Sequence, residues 1–406
     1  MNRNQLILLI VVGTVLGAIG LNLSRKQDAV WKESAQKMGQ KLLPGFDVNA
    51  VESIAIKNAS GSLTIAKKND AWGVVERGNY PANFGTLHDF LLKLPDLKVA
   101  QPVRAGGGQL ARLELLAPDK GTNGGTWVDL RDKNGKSITS LLLGKKHLRE
   151  SPANSQFGGG SSPDGRYVMV GGDDKNVALI SESFASLEPK ADEWVDKEFI
   201  KVEKIRSIQL TASQATNSWN LSRETETGEW KLADLKGEEK LDAGKTSALN
   251  YLLSSPNFHD VAGADLKPED TGLDKPVVSK LETFEGFSYL VKVGKADAEG
   301  HHYMQVTTSG NFPKERTSGK DEKPEDKEKL EKEFKEKTSK LDEKLKKEQF
   351  HNQWVYLIDK WGIDTLLKDR REFLADKKDE AKKDDAKGAI PGGLPGGIPG
   401  LPNFNQ

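Results

Sequence analysis

One long apolar run and one alternating pattern that occurs twice organise this chain. Leu6 to Leu23 carries no charge over eighteen residues and is flanked by Arg3 and by Arg25-Lys26. As a helix it spans roughly 27 Å, enough for a bilayer core. The pattern predicts an N-terminal transmembrane anchor over residues 1–24. A juxtamembrane helix is expected over 25–45, where Trp31, Ala35, Met38 and Leu42 recur at helical spacing before Pro44-Gly45. The basic start and the small residues Ala18 and Gly20 also suit a cleaved secretory signal. The length of the run favours a retained anchor.

Beyond residue 46 apolar and polar positions alternate, as half-buried strands require. Val51-Glu52-Ser53-Ile54-Ala55-Ile56 opens one series, and Val202 to Leu210 opens a second. Leu63-Thr64-Ile65 is answered by Trp219-Asn220-Leu221. The strand around Trp72 is answered by that around Trp230. A short helix follows each, one with Leu87, Phe90, Leu91 and Leu94, the other with Leu249, Tyr251, Leu252 and Leu253. Leu143-Gly144-Lys145 matches Val293-Gly294-Lys295, Arg166 to Val170 matches His302 to Val306, and Val177 to Ile180 matches Val355 to Ile358. Helices are expected to close each series, at Phe184–Phe199 and Trp361–Phe373. The expected fold is α+β and strand-rich, with two tandem similar modules, 46–200 and 201–375, after an N-terminal transmembrane helix.

The second series contains an insertion, 313–350, where the first has only the turn Gly171 to Asn176. From Glu325 to Glu348 it is almost entirely Lys and Glu, with acid-before-base pairs four apart such as Glu328/Lys332 and Glu343/Lys347. Each pair adds about 0.2–0.5 kcal/mol to a helix. Leu330, Phe334, Leu341 and Leu345 fall within an arc of about 60°, a narrow apolar stripe. This stripe is the candidate partner-docking face. Its alternative is a solvated helix or loop, and replacing 313–350 by a short turn is expected to leave the fold intact. The tail, 376–406, turns rich in Pro and Gly and is expected to be disordered.

Composition narrows the chemistry. There is no cysteine, hence no disulfide, thiol nucleophile or thiolate metal site. Sixty basic residues balance sixty acidic ones, so no global field draws the chain to nucleic acid. Adjacent His301 and His302 on a strand point to opposite faces and are not expected to share a metal. Asp173-Asp174-Lys175-Asn176 lacks the spacing and closing Glu of a calcium loop and reads as a hairpin turn. No catalytic residue, cofactor or metal ligand is assigned, and the small-molecule ligand is left open.

The opening Leu43 to Val48, the Trp72 strand running on to Tyr80-Pro81-Ala82, and Gly272-Leu273-Asp274-Lys275-Pro276 before Val293-Gly294-Lys295 carry a resemblance. Together they resemble the bacterial domain-of-unknown-function 4340 family over about residues 1–375. In the first series Gln109 to Leu115 stands as a helix where the Gly-Leu-Asp motif is missing. The resemblance implies a membrane-anchored protein; the very short N-terminal flank, which stays in the cytoplasm, places it as a single-pass inner-membrane protein with its C-terminal body in the periplasm of a double-membraned bacterium. The resemblance further implies a non-enzymatic accessory or scaffold role beside ABC-type transport components of the gliding-motility kind. A periplasmic glycan- or peptide-binding module is the alternative.

Overall fold

The computed structural model describes residues 37–106, 108–121, 123–150, 161–212, 217–317 and 322–376. The expected anchor lies outside them, as does all but the first residue of the expected tail. Among the described residues no helix is long and apolar enough to cross a membrane.

The alternating segments form two antiparallel sheets. The first contains β1 (Ser53–Asn58), β2 (Gly61–Lys68), β3 (Ala71–Val74), β4 (Tyr80–Pro81), β5 (Val99–Val103), β6 (Thr126–Arg131), β7 (Ser137–Glu150), β8 (Ser161–Val170) and β9 (Val177–Ile180). The second contains β10 (Ile205–Thr211), β11 (Trp219–Ser222), β12 (Lys231–Leu232), β13 (Phe258–Val261), β14 (Val277–Thr283), β15 (Phe287–Ala296), β16 (His301–Gly310) and β17 (Val355–Asp359). The spatial orders are β4-β3-β2-β1-β6-β7-β8-β9-β5 and β12-β11-β10-β14-β15-β16-β17-β13. Apart from β4, the two orders run in parallel strand for strand.

The match extends to register. Ile54 pairs with Ile65 and Leu130, and Ile208 with Leu221 and Leu281. All six are fully buried. Trp72 lies two residues before Val74, the partner of Ile65. Trp230 lies two before Leu232, the partner of Leu221. Gly144 and Gly294 share a reason as well as a place. A Cβ on Gly144 would stand 2.3 Å from the Leu113 carbonyl oxygen, and one on Gly294 2.2 Å from that of Thr271. Each glycine lets the chain entering the sheet pass against the middle of a strand.

Short helices cover the inner faces. In α1 (Phe84–Lys93) Asn83 accepts a hydrogen bond from Thr86 N–H as N-cap, and Leu87 and Phe90 are buried. α2 (Gly108–Arg112) stands where a helix was expected. The expected closing helices are instead fragments: α3 (Ala191–Trp194) in the first half. In the second, three single turns run over Lys360–Ile363, Asp364–Leu367 and Arg370–Phe373. Pro189 breaks the first closing helix, having no N–H and disfavouring helical backbone at Glu188, and indoles take up carbonyls in both regions. Trp194 Nε1 donates to the Glu188 carbonyl and Trp219 Nε1 to that of Lys368, both at 2.9 Å, taking acceptors a continuous helix would use itself. The helix expected to end at residue 45 is also not seen over 39–45. There the chain runs along residues 97–99, with Gly39 N–H on Val99 O at 2.8 Å and Leu42 N–H on Leu97 O at 2.7 Å. It satisfies backbone groups at the open side of the outer strand, and Leu43 enters the core.

The remaining helices are α4 (Ala243–Thr246), α5 (Pro268–Thr271), α6 (Pro324–Gln349) and α7 (Lys360–Ile363). α6 starts with Pro324 in its first turn and ends with Lys346 and Lys347, both suited to those ends. Its last turns lie on the second sheet, where Leu341 and Leu345 pack against the core.

Candidate functional site

The two sheets meet at a seam built largely from aromatic rings. Phe258, Val261 and Tyr356 belong to the second sheet but sit in the core of the first. The Tyr80 ring lies 5.0 Å from that of Trp354 and 5.9 Å from that of Phe350. Phe199, on the connection between the halves, lies 4.6 Å from Tyr356 and 5.2 Å from Phe258. Edge-to-face and tilted contacts of this kind add about 0.5–1.5 kcal/mol each beyond burial. Arg77 and Asp260 pair across the seam. Arg77 follows β3, and its Nη2 and Nε reach Asp260 Oδ2 on β13 at 2.6 and 3.0 Å.

A groove of about 690 Å³ opens beside this seam, between the connection and α6. Its walls include Tyr80, Phe199, Lys201, Lys344, Glu348 and His351. Several of its groups are buried and titratable. His351 Nδ1 lies 2.7 Å from the Tyr356 hydroxyl, which is itself hydrogen-bonded to Tyr80. Burial pushes the His351 imidazole down to about 4 and the Tyr80 phenol up to about 12. Glu348 accepts from the Tyr289 hydroxyl at 2.7 Å and from Lys201 N–H at 3.0 Å. Burial nevertheless holds its carboxyl above the usual carboxylate range. A second groove, of about 920 Å³, lies beside β5 and is rimmed by Lys41, Arg104 and Lys175.

The candidate docking stripe is divided. Leu341 and Leu345 belong to the second sheet's packing, whereas Leu330 is exposed and Phe334 half-buried outside both cores. The insertion is therefore not a detachable loop. Its C-terminal half is part of the body, because Glu348 and the two leucines complete the second core. Asp173 accepts from Lys175 N–H at 3.0 Å and Asn176 Nδ2 at 3.0 Å, closing a hairpin turn. His301 and His302 diverge, with His302 Nδ1 lying 3.2 Å from the Gly294 carbonyl oxygen. His301 instead stacks on His259, ring centroids 4.1 Å apart. Among the described residues His259, Glu299 and His301 form the group that could hold a metal, their ligand atoms lying within 4.8 Å of one another. Sequence spacing gave no sign of it, since the two histidines come from strands joined only by long-range pairing.

A family model matches about half of the chain. The model described as Domain of unknown function (DUF4340) matches residues 72–276. The chain belongs to the DUF4340 family. The match begins at Trp72, crosses the seam with Arg77, Tyr80, Phe199 and Asp260, and ends at Pro276 of the Gly272–Pro276 motif. No curated protein matches the chain, and no solved structure does.

The His351 environment predicts a pH effect on stability. Its imidazole takes a proton near 6.5 when unfolded and only near 4 when folded. The unfolded chain therefore binds the proton first. The His351 contribution is fully present above about pH 6.5 and is lost as pH falls to about 4, a change of about 3 kcal/mol. Glu348, with its raised folded value, works in the opposite direction at the acid end. Urea unfolding at pH 7 and 4.5 of the wild type and of His351→Gln separates the two. The variant is expected to lose about 2–3 kcal/mol less over that interval. Equal losses would show that the imidazole is not held neutral.

Proposed function

We propose that this DUF4340 protein is a non-enzymatic, membrane-anchored envelope protein. In this reading Leu6 to Leu23 holds it in the inner membrane with the two-sheet body in the periplasm. The body is two copies of one module, and it serves as a scaffold or accessory subunit of an ABC-type transport complex. The observation that carries the reading is the division of α6. Its second half is fastened to the sheet by Leu341, Leu345 and Glu348. Its first half joins neither core and presents Leu330 and Phe334 among lysines and glutamates. A rigidly held helix with a free apolar edge suits recognition by a groove on a partner.

The test is capture of transport components from detergent-solubilised membranes. Wild type is expected to retain them, and Phe334→Glu to lose them with an unchanged Tm. The full chain should stay with membranes through a carbonate wash, and a chain starting at residue 37 should not. Capture unaffected by Phe334→Glu, or a wash that releases the full chain, would overturn this reading. The groove beside the seam supports a second reading, a glycan- or peptide-binding module, for which binding should fall on substitution of Tyr80 or Phe199.

A further inference from the structure

The outer strand β13 carries a bulge. Phe258 pairs with Ile358 but Asp260 pairs with Leu357, so His259 is the extra residue. A bulge re-aims a side chain, and here it lays the His259 ring on that of His301, with planes 6° apart. Carboxylates surround the pair. Asp297 Oδ2 lies 3.2 Å and Glu299 Oε2 3.9 Å from His301 Nδ1, and Asp359 Oδ1 lies 3.4 Å from His301 Nε2. Asp192, on α3 of the first half, reaches to 3.9 Å of His259 Nε2.

The fold does not require these residues. The first sheet builds the same bulge, with Val99 on Ile180 and Gln101 on Leu179, and there the extra residue is Ala100. Its counterparts of His301 and Asp359, read from the registers of β8 with β9 and β16 with β17, are Gly165 and Ser181. The first sheet therefore makes this corner with Ala100, Gly165 and Ser181, and the second gathers two imidazoles and four carboxylates at it. The strand pairing itself needs no such set.

We infer that His259, His301 and Glu299 form a binding site for a divalent first-row transition ion of the zinc class. Mixed imidazole and carboxylate donors suit that class over magnesium or calcium, which prefer all-oxygen sets. Tetrahedral ligand atoms stand about 3.3 Å apart when bonds are about 2.0–2.1 Å. The three groups, whose ligand atoms lie within 4.8 Å of one another, must therefore close by up to about 1.5 Å. An ion lies in the plane of the imidazole that binds it, so the stacked rings must open by rotation. His259 and Glu299 can move, being 40 % and 75 % exposed in their side chains. One nitrogen of His301 takes the ion. The carboxylate at its other nitrogen, Asp297 or Asp359, holds the ring in place by accepting the second N–H. With Asp192 contributed by the other half, the bound ion ties the β15–β16 hairpin to β13 and across the seam to α3.

The experiment is calorimetric titration of Zn²⁺ into the full chain in detergent, without a polyhistidine tag. Mg²⁺ serves as the control ion, and Co²⁺ absorption reports the geometry. One Zn²⁺ per chain is expected. Binding should weaken at least tenfold in His259→Ala and in Glu299→Gln, and should be unchanged in His88→Ala. Zn²⁺ should raise the Tm of the wild type but not of Glu299→Gln, whose exposed side chain leaves folding intact. Absence of saturable Zn²⁺ binding, or binding indifferent to both His259→Ala and Glu299→Gln, would overturn the inference.

Discussion

Arg77→Ala is expected to destabilise the protein by about 3–5 kcal/mol, the range for stripping one partner from a buried ion pair. Asp260 is 6 % exposed and also accepts from Val261 N–H at 2.7 Å, so removal of Arg77 leaves a largely buried carboxylate without its ion-pair partner. The pair reads across the seam, so the loss should fall on the docking of the two halves. Chemical unfolding is expected to change from one transition to two as the halves uncouple. Arg77→Ala with Asp260→Asn should recover part of the loss, because the stranded charge is gone. A loss under about 1 kcal/mol would place the pair with ordinary solvated ones.

The second large effect concerns α6. Replacing 313–350 with a short turn is expected to unfold or strongly destabilise the second sheet, by about 4 kcal/mol or more. The deletion strips Leu341 and Leu345 from the core and leaves the Tyr289 hydroxyl and Lys201 N–H without their shared acceptor. Shortening the loop gains only about 1 kcal/mol of closure entropy, too little to compensate. Phe334→Glu, by contrast, should change stability by less than about 1 kcal/mol, as expected of a substitution outside both cores. Thermal unfolding of the two variants distinguishes the halves of the helix. A stable deletion variant would mean that the second core closes without α6.

The insertion illustrates where sequence patterning stops. Its helix was legible because charged pairs and a leucine stripe repeat at helical spacing, and those are local properties. Which half of the stripe is covered was not, since the answer depends on where β16 ends and on the buried acceptor Glu348. Read alone, Glu348 is one more charge in a run of charges. The outer strands β5 and β13 were missed for a related reason. Val99 to Val103 carries Pro102 and no clean alternation, and Phe258 to Val261 hides a buried Asp260. Both are strands because β9 and β17 offer open edges. The first closing helix is interrupted at Glu188-Pro189, and in both regions indoles of Trp194 and Trp219 donate to backbone carbonyls.

The amino-acid sequence by itself determined the strand-rich class, the two series of matching strands, the pairing of Trp72 with Trp230 and of Gly144 with Gly294, and the helical insertion. Each rests on period-two or helical spacing within a few residues, which the backbone reads directly. Only the tertiary structure decided the seam, the groove beneath α6 and the His259–His301 corner. Those join residues by ladder pairing between distant strands and by a one-residue bulge, and neither leaves a periodic trace in the chain.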